Sequence, residues 1–306
     1  MKRSISVTLV GIFAFLGSLL TLALGVAMAV ALAVSRTSNA AMRAPGARVV
    51  GMVGLAFLVL PSTWGVATGI GIFFLKRWAR VSIIVFGAFL VLGGFFGGLI
   101  LLVMPLPSTG PTGVGSFGAI KMGIGVFYLL TGAIGLWWAL LFSSRSVKMQ
   151  FAGGQLITDG MDKPVSISII AWLLILGSAF IPFSIVMRLP MAFLGWLLTG
   201  WTAAFVFALF AAFQLYIGIG LLRLNARSRV LAIYYSIFGA VNGVLIYALP
   251  GREARMATMM KAMPAYFHQP TPTVMPFPYW LFEVMILVFM LIQIYFLITR
   301  KPAFRP

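Results

Sequence analysis

Gly69-Ile70-Gly71-Ile72-Phe73-Phe74-Leu75 and Gly218-Ile219-Gly220-Leu221-Leu222-Arg223-Leu224 decide the reading of this chain. Each runs into a short basic loop, ending Arg80-Val81 or Arg229-Val230, and then into a second apolar stretch. A helix end, its turn and the next helix start therefore occur twice. Leu16-Gly17-Ser18 recurs as Leu176-Gly177-Ser178, which extends the correspondence to the first helix of each half.

Composition supplies the solvent. Apolar residues make up 62% of the chain and charged residues 8%, against about 45–50% and about 25% in soluble domains. Lipid offers the backbone no hydrogen bonds, so spanning segments must be helices or closed barrels. The apolar runs are continuous rather than alternating, which selects helices. Eight runs reach spanning length, near 5–34, 49–75, 81–104, 118–142, 165–187, 193–222, 230–249 and 279–299. Pro61 lies inside the second and should kink it, with Ser62, Thr63 and Thr68 placed to satisfy freed backbone groups.

The first run follows Met1-Lys2-Arg3 and holds a small-residue pattern at Ala27-Met28-Ala29. Its length and its counterpart in the second half favour a retained helix over a cleaved signal. With the N-terminus inside, every predicted cytoplasmic segment carries Lys or Arg: Lys2 and Arg3, Lys76 to Arg80, Arg145 to Lys163, Arg223 to Arg229, and Arg300 to Arg305. Both termini are expected to be cytoplasmic. The net charge of +18 is spread over these short loops, where it suits anionic lipid headgroups; no basic domain is large enough for nucleic acid.

The fold class is therefore all-α: a polytopic integral membrane protein with eight transmembrane helices as two tandem parallel four-helix repeats. The repeats are 1–143 and 165–306, joined by a cytoplasmic linker, 144–164, that is polar and glycine-bearing. An even number of helices per repeat gives both halves the same orientation. The halves differ most on the outer side, where the loop 250–278 is much longer than 105–117. Within it, 252–262 has the pattern of a short amphipathic helix presenting Met256, Met259, Met260 and Met263 to lipid or protein; a flexible loop tip is the alternative. The Gly-x-Gly segment before the basic turn Trp78-Ala79-Arg80 resembles that of many bacterial polytopic proteins without an assigned activity. That likeness implies a bacterial inner (plasma) membrane and no function.

Polar chemistry within the spans is scarce. Glu283 is the one carboxylate in a run, and an intramembrane ionisable residue is a functional candidate by default. It lies close to the outer end, and an ion pair with Lys121, or else with Arg188, would lock the halves or form a gate. Gln214, Asn242 and Gln293 are the amides in spans, expected to hydrogen-bond between helices. Small residues at helix-packing spacing include Gly65 with Gly69, Gly93 with Gly97, Gly94 with Gly98, and Gly239 with Gly243; they imply close crossings. Gly69-Ile70-Gly71 is no nucleotide loop, lacking a third glycine and a βαβ setting. His268 is the only histidine and cysteine is absent, so haem with two histidine ligands and a thiolate metal site are excluded. Asp159 and Asp162 are too few for a convincing cation site. No catalytic, cofactor-binding or metal-binding residue is expected.

These features point to a non-catalytic membrane protein, an accessory or scaffolding subunit of a larger membrane complex with partner subunits. The alternative is an uncoupled transporter or channel-like permease for a small neutral or apolar solute, suggested by the duplication and the Pro61 break.

Overall fold

The computed structural model describes residues 4–38, 45–103, 114–152, 164–262 and 279–304. Among these, ten α-helices form: α1 (Ile5–Ser38), α2 (Pro45–Phe73), α3 (Arg77–Val103), α4 (Val114–Ser143), α5 (Arg145–Phe151), α6 (Val165–Val186), α7 (Gly200–Leu222), α8 (Ala226–Ala248), α9 (Arg252–Ala262) and α10 (Tyr279–Thr299). Between α6 and α7, β1 (Met191–Phe193) and β2 (Trp196–Leu198) pair antiparallel. Seven helices, α1 to α4 and α6 to α8, are long and apolar enough to cross a membrane, and the Glu283–Thr299 stretch of α10 is a shorter apolar helix.

Three local features differ from the sequence reading. The run expected from 193 begins instead as the hairpin, and α7 starts at Gly200. Leu194 and Gly195 both take positive φ, 49° and 84°. That is the backbone of a two-residue hairpin turn, whose hand matches strand twist. A third of the expected linker forms α5, which buries Val147 and Phe151; Phe151 packs on Phe142 at 5.8 Å. Pro182 lies inside α6, a second in-helix proline that the periodicity did not mark.

The chain divides into two compact units: Met1–Ala88 with Ile134–Asp162, and Phe89–Ala133 with Lys163–Pro306. In the first, glycines bring α1 and α2 together. A Cβ on Gly69 would fall 2.8 Å from the Cβ of Phe15 and 3.0 Å from its Cα. Dispersion at such crossings replaces the hydrophobic drive that lipid cannot supply. α2 and α3 share a buried hydrogen bond between Thr68 Oγ1 and Ser82 Oγ, 2.7 Å. Around Pro61, Ser62 Oγ donates to the Leu58 carbonyl and Thr63 Oγ1 to that of Leu60 at 2.9 Å. The start of α1 is tied to α5, since the Ser4 amide donates to Gln150 Oε1 at 3.2 Å.

In the second unit, Ile167, Ile170, Ala171, Leu174, Ile217, Leu221, Ala232 and Leu297 form a buried core from α6, α7, α8 and α10. The C-terminal half of α3 and the middle of α4 cross closely: a Cβ on Gly94 would lie 2.6 Å from Gly132 Cα.

The duplicated motif closes the same way in each unit. The Lys76 amide donates to Gly71 O at 2.8 Å and the Leu75 amide to Ile72 O at 3.0 Å; the Asn225 amide donates to Gly220 O at 3.0 Å and the Leu224 amide to Leu221 O at 3.0 Å. This is the Schellman closure of a helix C-terminus. Leu75 and Leu224 hold its left-handed position, with φ of 50° and 55°. Glycine is the usual residue there, so leucine in both copies is a shared departure. The glycines Gly71 and Gly220 admit the next helix, because a Cβ would strike Ala79 from the first and Ser228 from the second.

Candidate intramembrane site

The polar side chains within the second unit are arranged around the hairpin and α8. Asn242 on α8 clamps the hairpin. Its Oδ1 accepts from the Leu194 amide at 2.6 Å, and its Nδ2 donates to the Ala192 carbonyl at 3.5 Å. The clamp holds Leu194 in a left-handed conformation that costs an L-residue roughly 1–2 kcal/mol. Glycine suits position 195 beside it, because a φ of 84° strains any residue with a Cβ.

α9 closes the same end. Arg255 Nη1 donates to the Pro250 carbonyl at 2.7 Å, and Nη2 to those of Leu249 at 2.8 Å and Ile246 at 3.1 Å. The last carbonyls of α8 thus receive donors and a positive charge where the helix dipole is negative. Met256 and Met259 border a small void shared with Ala192, Gly195, Trp196 and Leu197. The amphipathic helix read from the sequence is present, and these two methionines face protein. Met263 lies outside the described residues.

With Phe193 held in place, an aromatic cleft opens between the hairpin, α7 and α8. It measures about 460 Å³ and is lined by Phe193, Val206, Leu209, Phe210, Phe213, Tyr234, Tyr235 and Phe238. Phe210 stacks on Phe238 with centroids 5.6 Å apart and 28° between planes, and Phe193 lies 5.8 Å from Phe238. Phe213 and Phe210 approach Tyr235 at 5.9 Å and 6.1 Å. Offset and tilted pairs of this kind suit the ring quadrupole.

Gln214 Nε2 donates to the Tyr235 hydroxyl, and Gln214 Oε1 is buried without a hydrogen-bond partner. A Cβ on Gly177 would lie 3.2 Å from that oxygen. Counting back four residues from Gly69 and from Gly218 reaches Gly65 and Gln214. Gly65 sits against the Ser18 side chain. Ser18 corresponds to Ser178, the neighbour of Gly177. The first unit sets glycine against serine; the second sets glutamine against glycine. Only the second unit carries an amide at this position.

Gln293 on α10 is buried, with Ser236 Oγ of α8 3.2 Å from its Oε1 and 2.9 Å from the Ala232 carbonyl. Gly239 and Gly243 face α10, where a Cβ would lie 3.1 Å from Met290 Cε and 2.9 Å from Ile286 Cγ2. A Cβ on Gly97 would meet the Tyr128 ring at 2.9 Å. Of the two overlapping pairs read from the sequence, Gly94 makes the crossing, whereas a Cβ on Gly93 meets nothing within 4 Å. Spacing alone does not say which of two adjacent glycines turns towards the neighbour.

Glu283 lies in the second turn of α10, half-buried, and Lys121 near the start of α4 is half-buried too. His268, Asp159 and Asp162 lie outside the described residues. On the opposite end of α8, Asn225 Oδ1 caps the helix by accepting from the Arg227 amide at 2.9 Å. Arg229 Nη1 donates to the Leu297 carbonyl at 3.3 Å, and its guanidinium lies 5.8 Å from the Phe304 ring centre. The basic loop therefore ties α8 to α10, a role that the count of charges did not reveal.

No protein-family model, curated protein or solved structure matches the chain.

Proposed function

We propose that this chain is a non-catalytic integral membrane protein, an accessory or scaffolding subunit of a larger membrane complex. The observation that carries the reading is where the intramembrane amides are used. Asn242 is committed to the hairpin, Gln293 meets Ser236, and Gln214 meets Tyr235. Side chains spent on internal bonds hold helices together and leave little to bind or pass a polar solute.

The finer arrangement belongs to the same proposal: eight spans with α10 as the eighth, two parallel repeats, both termini cytoplasmic, in a bacterial inner membrane. It is supported by the matched Schellman turns at Leu75 and Leu224 and by Lys or Arg in every predicted cytoplasmic segment. Anionic headgroups are the partners of the basic loops. An ion pair of Glu283 with Lys121 is a locking contact between the outer ends of α10 and α4 in this scheme.

Gentle detergent extraction, native-gel sizing and identification of co-migrating chains test it. Stoichiometric companion proteins support a subunit. Migration alone, as a monomer or homo-oligomer, overturns it and moves the reading to an uncoupled permease, for which liposome flux would be measured with Asn242 and Glu283 variants.

A further inference from the structure

The lengths of α6 and α7 fix the level of the short hairpin between them. α6 has 22 residues and α7 has 23, so they run about 33 Å and about 35 Å. At an ordinary tilt of about 20° each just crosses a hydrocarbon core about 30 Å thick. The connection between them, residues 187–199, therefore falls where glycerol, phosphate and water replace hydrocarbon. That layer is about 5–8 Å deep on each side of a bilayer.

Backbone and charge agree with this level. The sheet has two strands, so each keeps one edge without a neighbouring strand. Hydrocarbon offers nothing to the N–H and C=O groups of an open edge, whereas water and headgroups do. Arg188, exposed just past the end of α6, argues the same way, since a guanidinium in lipid is expensive.

The side chains exclude plain water as well. Trp196 on β2 is 76% exposed and Trp201, in the first turn of α7, is 83% exposed. Among the described residues these are the two most exposed tryptophans. Indole is apolar over most of its area and carries one N–H donor. Bulk water leaves the ring uncovered, and hydrocarbon leaves the N–H unpaired. The interfacial layer covers the one and pairs the other, which is why tryptophan collects there.

We propose that this hairpin is an interfacial anchor, whose partner is the glycerol and headgroup layer of the leaflet on its side of the membrane. Trp196 and Trp201 enter that layer. Asn242, bonded to Leu194 and Ala192, fastens the hairpin to α8, so the layer sets the depth of the second unit in the bilayer. The tight turn, with positive φ at Leu194 and Gly195, and strands of three residues keep the element short enough to stay within it.

The chain has no cysteine, so single cysteines report cleanly. Trp196→Cys, Trp201→Cys and Ala212→Cys, each carrying a nitroxide, are placed in phosphatidylcholine nanodiscs. Depth is read from collision with oxygen against collision with a water-soluble nickel chelate. Ala212, exposed near the middle of α7, is the hydrocarbon reference. The labels at 196 and 201 should lie outside the hydrocarbon boundary by no more than about 5–8 Å, and the label at 212 about 15 Å inside it. Adding Trp196→Ser and Trp201→Ser to Ala212→Cys should shift the reference label by about 3 Å, two residues of helix rise. Thermal unfolding checks that this variant is folded; if it is not, the single-label depths decide. Labels at 196 or 201 buried in hydrocarbon, free in bulk water, or shielded from both reagents by protein would overturn the proposal. An unmoved reference label in the folded triple variant would do the same.

Discussion

Placing a methyl group at Gly69 tests the crossing on which the first unit depends. The added Cβ falls 2.8 Å from Phe15 Cβ, 3.0 Å from its Cα and 3.1 Å from its amide nitrogen. Two of these are backbone atoms, so no rotamer change relieves the clash. Carbon pairs rest at about 3.5–4.0 Å, so α1 must retreat from α2 by roughly 0.7 Å, and a gap of about 0.5–1 Å forfeits a quarter to a half of each dispersion contact. Overpacking of this kind costs about 1–3 kcal/mol. Alanine returns about 0.5–1 kcal/mol through helix propensity. The net expectation for Gly69→Ala is a loss of about 1–2 kcal/mol. Gly218→Ala should behave alike, since its Cβ meets Ile175 Cγ1 at 2.6 Å and the Ala171 carbonyl at 3.0 Å. Gly93→Ala is the control: with nothing within 4 Å, it should be neutral or stabilising by about 0.5–1 kcal/mol. Reversible unfolding in mixed micelles, titrated with SDS, measures all three. If Gly69→Ala and Gly93→Ala unfold together, the crossing does not bear on stability and the packing argument is wrong.

Asn242→Ala should cost about 1–3 kcal/mol by leaving hairpin groups unpaired, and amide exchange at Leu194 should quicken ahead of that in α8. Arg255→Ala should lower stability by about 1–2 kcal/mol, with the loss of protection confined to the junction of α8 and α9; a change spread through α6 would contradict it. Gln293→Leu is expected to cost about 0.6–2 kcal/mol, and a double-mutant cycle with Ser236→Ala should show coupling between the two sites. Glu283→Lys should destabilise the chain, and adding Lys121→Glu should restore it; an unrescued double variant would remove the proposed ion pair.

The membrane setting and most of the helices are decided by the sequence, because apolar runs near 20 residues leave the backbone no other solution in lipid. The matched helix ends are written there too, in Gly69-Ile70-Gly71 and Gly218-Ile219-Gly220. So is the scarcity of intramembrane charge. What tertiary structure alone decides is direction. Gly93 and Gly94 are neighbours in one small-residue run, and only packing chooses Gly94 for the crossing. Gln214, Asn242 and Gln293 are equivalent amides on paper, yet one meets a tyrosine, one clamps a turn and one meets a serine. The hairpin was hidden because Leu194 takes a left-handed turn without a residue that signals it; the bond from Asn242, 48 residues away, holds it there. Helix propensity and hydropathy are local sums, whereas a bond between residues far apart in the chain exists only once the helices have met.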